Sequence, residues 1–228
     1  MKPIKEKKKF LILGISSILV LLPVGHAVTF DATYPGAELY LSPPPNQSPV
    51  AKCKNVIVAA GSNCTASVSI DDGSFHPDGD PITFTQSPTG PYRLGNTLVT
   101  LTASDNQGAS SQCTGKVTVV DKMPPTITGI SVNPSVLWPP NHKMADVTVN
   151  YTATDNCDQP VCQISSVISN EPISGSDFTI VDAHYVKLTA DRLGSGNGRI
   201  YTITVTCTDA SGNSSSKAVT VTVPHDQG

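Results

Sequence analysis

Leu101 to Val120 reads LTASDNQGASSQCTGKVTVV, and Val205 to Val223 reads VTCTDASGNSSSKAVTVTV. Shifted by 104 positions, Asp105 falls on Asp209, Gly108 on Gly212, Ser110 and Ser111 on Ser214 and Ser215, and Val117 and Val119 on Val221 and Val223. Each copy is an alternating apolar run, a turn cluster of Asp, Asn, Gly and Ser, and a second alternating run. Alternation with period two puts one set of side chains on a buried face, and the glycine-bearing turn reverses the chain. Both copies read as the closing hairpin of an all-β domain. The chain therefore reads as two all-β domains in tandem.

The alternation extends outward from each hairpin. In the first half Val56 to Ala59 is a strand, Gly61-Ser62-Asn63 a turn, and Cys64 to Ile70 a further alternating run. Its Cys64, Ala66, Val68 and Ile70 face inward and Thr65, Ser67 and Ser69 face water. A loop carrying DDG and PDGD follows, then Ile82 to Phe84. Asp121-Lys-Met-Pro-Pro-Thr126 marks the boundary, its two prolines stiffening a short connection. In the second half strands are expected over Ile127–Val132, Val147–Ala153, Val161–Ile168, Phe178–Val181, Tyr185–Ala190, Ile200–Cys207 and Lys217–Val223. About seven short strands with regular turns is the sandwich pattern. The proline-broken first strand suits an edge that crosses between sheets, because proline lacks the ladder donor.

The N-terminus differs. Lys2, Lys5 and Lys7 to Lys9 precede an apolar run from Phe10 to Val24 and the small residues Gly25-His26-Ala27, the pattern of a cleaved export signal. Fifteen apolar residues fall short of the roughly 20 needed to span a bilayer. The division is then a signal peptide over 1–27, a Pro-rich spacer over 28–50, a sandwich over 51–121, a linker over 122–126, a second sandwich over 127–224 and a tail over 225–228. Beyond the signal the chain carries 10 basic and 17 acidic residues, net −7, with no basic cluster. That balance argues against a nucleic-acid partner.

Six cysteines behind an export signal suggest disulfides. They fall three and three: Cys53, Cys64 and Cys113, then Cys157, Cys162 and Cys207. An odd number per domain leaves at least one free in each, unless the two cross-link domains or chains. The strand sketch favours Cys53–Cys113, with Cys64 a buried thiol. It also favours Cys162–Cys207, with Cys157–Cys207 and Cys157–Cys162 as rivals.

VAKCKNVIVAAGSNC, GPYRLGNTLVTLTASDNQGASSQCTGKVTVVD and the closing prolines resemble the hyalin repeat (HYR) domain. DDGSFHPDGDPITF is also similar to a loop of polycystic-kidney-disease-type immunoglobulin-like domains. LWPPNHKM, ATDNCD, SNEP, GSGNGRIYTITVTCTDASGN and VPHDQG resemble an immunoglobulin-like module of bacterial secreted proteins. The resemblance implies extracellular β-sandwich modules with cell adhesion or surface assembly as their role, and no catalytic residues. The partner it implies is a protein or glycan at the cell surface, and the location secreted or cell-surface.

Candidate chemistry is sparse, and no cofactor is required by the pattern. Calcium is the one cofactor with a case, since it takes six to eight oxygens from Asp, Asn and carbonyl-rich loops. Asp71, Asp72, Asp78 and Asp80 crowd one loop, and Asp155, Asp158 and Asp209 are expected to meet at one end of the second domain. Ordinary turn chemistry uses the same residues. Trp138, with His142 close by in Leu-Trp-Pro-Pro-Asn-His, reads as an exposed platform for a sugar or partner, or as a cover over the sandwich end. No Gly-x-Ser-x-Gly elbow is present, and His76, His142, His184 and His225 are not tied to a nucleophile and an acid. The expectation is a non-enzymatic adhesion or structural module, with a carbohydrate- or other ligand-binding accessory module as the alternative.

Overall fold

The computed structural model describes residues 44–195 and 197–226. The expected signal peptide and most of the expected spacer lie outside the described residues. Among the described residues every regular element is a strand, and the strands build two hydrophobic cores.

The second sandwich has the simpler order. One layer runs β10 (Phe178–Ile180), β11 (Tyr185–Thr189), β8 (Met144–Thr154), β7 (Thr126–Asn133); the facing layer runs β13 (Ser214–Pro224), β12 (Gly198–Thr208), β9 (Val161–Ser169). Four strands facing three in this order is the constant-type immunoglobulin arrangement. Alternate residues supply the core: Val147 and Val149 of β8, Val186 and Leu188 of β11, Tyr201, Ile203 and Val205 of β12, Val221 and Val223 of β13. β7 pairs with β8 up to Asn133, and two residues past Pro134 Val136 bridges in parallel to Thr222 of the other layer. The chain thus changes sheets where proline ends the ladder.

The SNEP and GNGR segments meet behind this core. Asn170 accepts from the Ile200 N–H and donates to the Gly198 carbonyl. The Arg199 guanidinium, 4% exposed, lies 3.2 Å from Glu171 and donates to the Tyr201 hydroxyl and the Pro172 carbonyl. A buried guanidinium needs such a set of acceptors, because desolvation otherwise outweighs the ion pair.

The first sandwich follows the same logic with shorter ladders. Its larger layer runs β1 (Val56–Ala59), β6 (Ser110–Val120), β5 (Gly95–Ser104), β3 (Thr83–Ser87), with β1 parallel to β6. The opposite layer is β2 (Thr65–Ala66) against β4 (Tyr92–Arg93), continued by bridges Val50–Phe75 and Cys53–Asp71. Here too the first strand begins on one layer and ends on the other.

The strand expected over Cys64–Ile70 keeps its parity, with Ile70 buried and Ser67 and Ser69 exposed, but only Thr65 and Ala66 join a ladder. The Gln86 side chain takes the place of a neighbouring strand. Its oxygen accepts from the Ile70 N–H, and its amide donates to the Val68 carbonyl and the Tyr92 hydroxyl. Buried backbone groups must find partners, and a side chain serves where no strand is available.

Candidate functional site at the seam

Three strands end at the junction of the two sandwiches, and each is followed at once by an aspartate: β6 by Asp121, β8 by Asp155 and β12 by Asp209. Asp commonly closes a strand by accepting backbone N–H groups a few residues on. Asp121 Oδ1 accepts from Met123 N at 3.0 Å, Asp155 Oδ1 from Cys157 N at 3.0 Å, and Asp209 Oδ1 from Asn213 N at 2.8 Å. The Asn213 amide also donates to Asp209 Oδ2 at 2.8 Å and to the Asp121 carbonyl at 3.4 Å, tying the last turn to the connection between the sandwiches.

These turns bring one carboxylate oxygen of each aspartate within 4.8 Å of the others. Asp121 and Asp209 are only 7% and 6% exposed. Asp121 Oδ2, Asp155 Oδ2 and the neighbouring Asn156 Oδ1 are buried and accept no hydrogen bond from the described residues. Among the described residues none of the ion pairs includes any of the three aspartates. At an effective dielectric constant of about 20, two like charges at such a separation repel by roughly 3.5 kcal/mol. Burial works against the Asp209 anion, yet donors from Asn213, Ser211 and Gly212 hold its pKa below the ordinary carboxylate value. The seam therefore concentrates negative charge and free oxygen acceptors.

The equivalent position in the first hairpin makes the contrast plain. Asp105 Oδ1 accepts from Gln107 N and Ala109 N, as expected of a turn, but its Oδ2 meets Asn46 Nδ2 at 2.7 Å and the buried His76 at 3.4 Å. Where Asp105 faces an amide and an imidazole, Asp209 faces the Asn213 amide and two more carboxylates.

The seam is also covalent. Cys64 is bonded to Cys157 across it. Cys157 packs against the first core although it belongs to the second half of the chain. Asn156 donates to the Gly61 carbonyl at 3.1 Å beside the bond. Cys64, expected to be a buried thiol, is thus a half-cystine, and the described residues contain no free cysteine. The other bonds are Cys53–Cys113, joining the first segment to β6, and Cys162–Cys207, joining register partners on β9 and β12.

The remaining sequence candidates are dispersed. Asp71 accepts from Ser74 and Gly73, Asp72 lies 3.5 Å from Lys54, Asp78 accepts from the backbone and side chain of Gln47, and Asp80 accepts from Gln107. The acidic loop is a set of turn and strap contacts, and its carboxylates do not converge. Asp158 accepts from Ala210 N, apart from the three clustered aspartates. Trp138 and His142 sit at the far end of the second sandwich, where Leu137 N donates to the Thr222 carbonyl and His142 N to that of Ala190. Trp138 is 41% exposed, and the His142 side chain, 77% exposed, lies 3.0 Å from Asp191.

Asp121 was missed in the sequence because it stands in the connection rather than in an acidic loop. The available signal was its position directly after an alternating run, the same place held by Asp155 and Asp209.

No protein-family model matches the chain, and no curated protein does. Among solved structures, human protocadherin-24 EC1-2 is 14% identical with a TM-score of 0.36, over 78% of this chain and 97% of that one. The titin domains z1z2 in complex with telethonin are 12% identical with a TM-score of 0.34, over 80% and 100%. Extracellular cadherin domains 3-6 of protocadherin gamma B2 are 16% identical with a TM-score of 0.37, over 77% and 47%. The fold rests on the strand order and layer pairing described above.

Proposed function

We propose that this chain is a non-catalytic exported protein that acts as an extracellular adhesion or structural module. Its two immunoglobulin-like sandwiches would work as one stiff piece that presents loops and sheet edges to a partner at the cell surface. The observation that carries this reading is the seam, where a five-residue connection (121–125) and the Cys64–Cys157 bond both span the junction. Holding two sandwiches at a fixed angle is of use to a protein that bears load or sets a spacing. Three disulfides suit an oxidising compartment.

The histidine rings are held by carboxylates and backbone carbonyls. Among the described residues none hydrogen-bonds a serine, threonine or cysteine. His76 meets Asp105, His142 meets Asp191, His184 meets the Val149 carbonyl, and His225 meets Asp226 and the Gly194 carbonyl.

The test is attachment. Beads coated with the oxidised chain should adhere to cells of the producing culture or to one another, and beads carrying a Cys64→Ala/Cys157→Ala variant should adhere less under flow. Beads that never attach, together with turnover in a broad hydrolase panel, would remove the proposal.

A second reading has one specific support, the partly exposed Trp138 in the same segment as the exposed His142. It makes the far end of the second sandwich a glycan-binding platform. A glycan array should then show binding that Trp138→Ala abolishes, whereas the adhesion reading expects no such dependence.

A further inference from the structure

We infer that the seam is a calcium site, in which Asp121, Asp155 and Asp209 hold one ion between the two sandwiches. The ligands come from three separate strand ends, so the ion would join the connection to a turn of each layer of the second sandwich. The inference does not depend on the chain being an adhesion module.

Acidic clusters alone are common, and two further features single this one out. Asp121 is buried to more than nine-tenths and its Oδ2 has no hydrogen-bond partner among the described residues, so a carboxylate oxygen has been taken from water without replacement. Two of its neighbours across the gap are carboxylates, the one amide there (Asn213) already donates to Asp209 and to the Asp121 carbonyl, and each aspartate already spends Oδ1 on a backbone N–H that fixes its orientation. A divalent cation answers both facts, since it supplies the missing partner and offsets the mutual repulsion.

The donor set selects the ion. The free atoms are all oxygens, Asp121 Oδ2, Asp155 Oδ2 and the Asn156 amide oxygen, with the Asp209 carboxylate, held by Asn213, as the third acidic ligand, and the nearby sulfurs are held in a disulfide. Oxygen-only sites bind hard cations; thiolate or imidazole would be needed to favour zinc or copper. Calcium accepts an irregular shell of six to eight oxygens, whereas magnesium demands a near-ideal octahedron, which turns from separate strands do not readily form. Waters complete the shell, and Asp121 lines an open groove with Leu94, Gly95 and Ser211 through which the ion can reach the seam.

The experiment uses the oxidised full chain, stripped with EGTA and then titrated with calcium or magnesium by calorimetry and followed by thermal melting. Calcium should bind with a stoichiometry of one and raise the Tm by about 5 °C or more at millimolar concentration, with magnesium far weaker. Asp121→Asn should abolish the binding heat and the Tm response, and in EGTA it should melt above the wild type because one repelling charge is gone. In calcium the order of the two Tm values should reverse. A merely structural Asp121 would show lowered stability in both conditions. Asp78→Asn, on the acidic loop, should leave the calcium response intact, and Asp209→Asn gives a second seam variant should Asp121→Asn fold poorly. No calcium heat in the wild type, or a response that survives both seam variants or is lost with Asp78→Asn, overturns the assignment.

Discussion

Replacing Cys64 and Cys157 together by alanine tests whether the two sandwiches are one mechanical unit. The bond spans 93 residues. Cys53–Cys113 already shortens that path, which runs about 11 residues back from Cys64 to Cys53, across the bond, and about 44 on from Cys113 to Cys157. An effective loop of about 55 residues corresponds to roughly 4 kcal/mol of lost denatured-state entropy in the chain-entropy model. Cys64 has φ of 55° in the oxidised chain, and alanine at that position carries the same backbone strain, so the variant isolates the cross-link. With a guanidinium slope of about 3–4 kcal/mol per molar, the unfolding midpoint should fall by about 1 M. The single transition expected of the cross-linked chain should also divide in two, read by near-UV circular dichroism for the Tyr201 core and by limited proteolysis for the first sandwich. A shift below about 0.2 M with one unchanged transition would refute the reasoning, since the bond would then restrain nothing that the short connection does not restrain already.

Other outcomes follow from particular contacts. Arg199→Ala leaves Glu171 buried without its cation and should destabilise the second sandwich by about 3–5 kcal/mol in chemical denaturation. Gly115→Ala should cost about 1–3 kcal/mol, because a Cβ there would run into the backbone carbonyl of Lys54, read by the same method. The Asp105 pKa is lowered to about 2, chiefly by the Asn46 amide, against burial and with help from Gln107, Ala109 and His76. A depressed folded-state pKa contributes stability above the unfolded value near 4 that is lost as pH falls toward about 2. Melting curves of the first sandwich should steepen in that window, and Asp105→Asn should flatten them. Trp138, half exposed, should emit to the red and be quenched by iodide more readily than a core tryptophan.

The strands were legible in the sequence because alternation is a local signal. Val117 and Val119, like Val221 and Val223, declare their face within a few residues, and the structure buries all four. What failed locally was the short β2 ladder, because the partner of Val68 and Ile70 is Gln86, some 16 to 18 residues away and of a type that sequence patterning treats as surface. The acidic loop misled for a similar reason. Its carboxylates are filled by Gln47 and Gln107, which no spacing rule connects to Asp78 and Asp80. The seam combined both difficulties. Asp155 and Asp209 could be named from their turns, but Asp121 joins them only after two sandwiches have folded and docked. The odd number of cysteines in each half was the one clue that something crossed the junction, and it carried no indication of which pair did so.

That odd number also dictates an order of events. While only the first half of the chain has been made, Cys53 and Cys113 can pair with each other and Cys64 has no native partner. It must wait for Cys157, 93 residues behind, and the bond can form only once the later half has begun to arrive. A thiol still free at Cys64 thus marks a chain whose second half has not yet docked. For the same reason neither half can be shuffled into another gene alone without stranding a reactive sulfur at its tip.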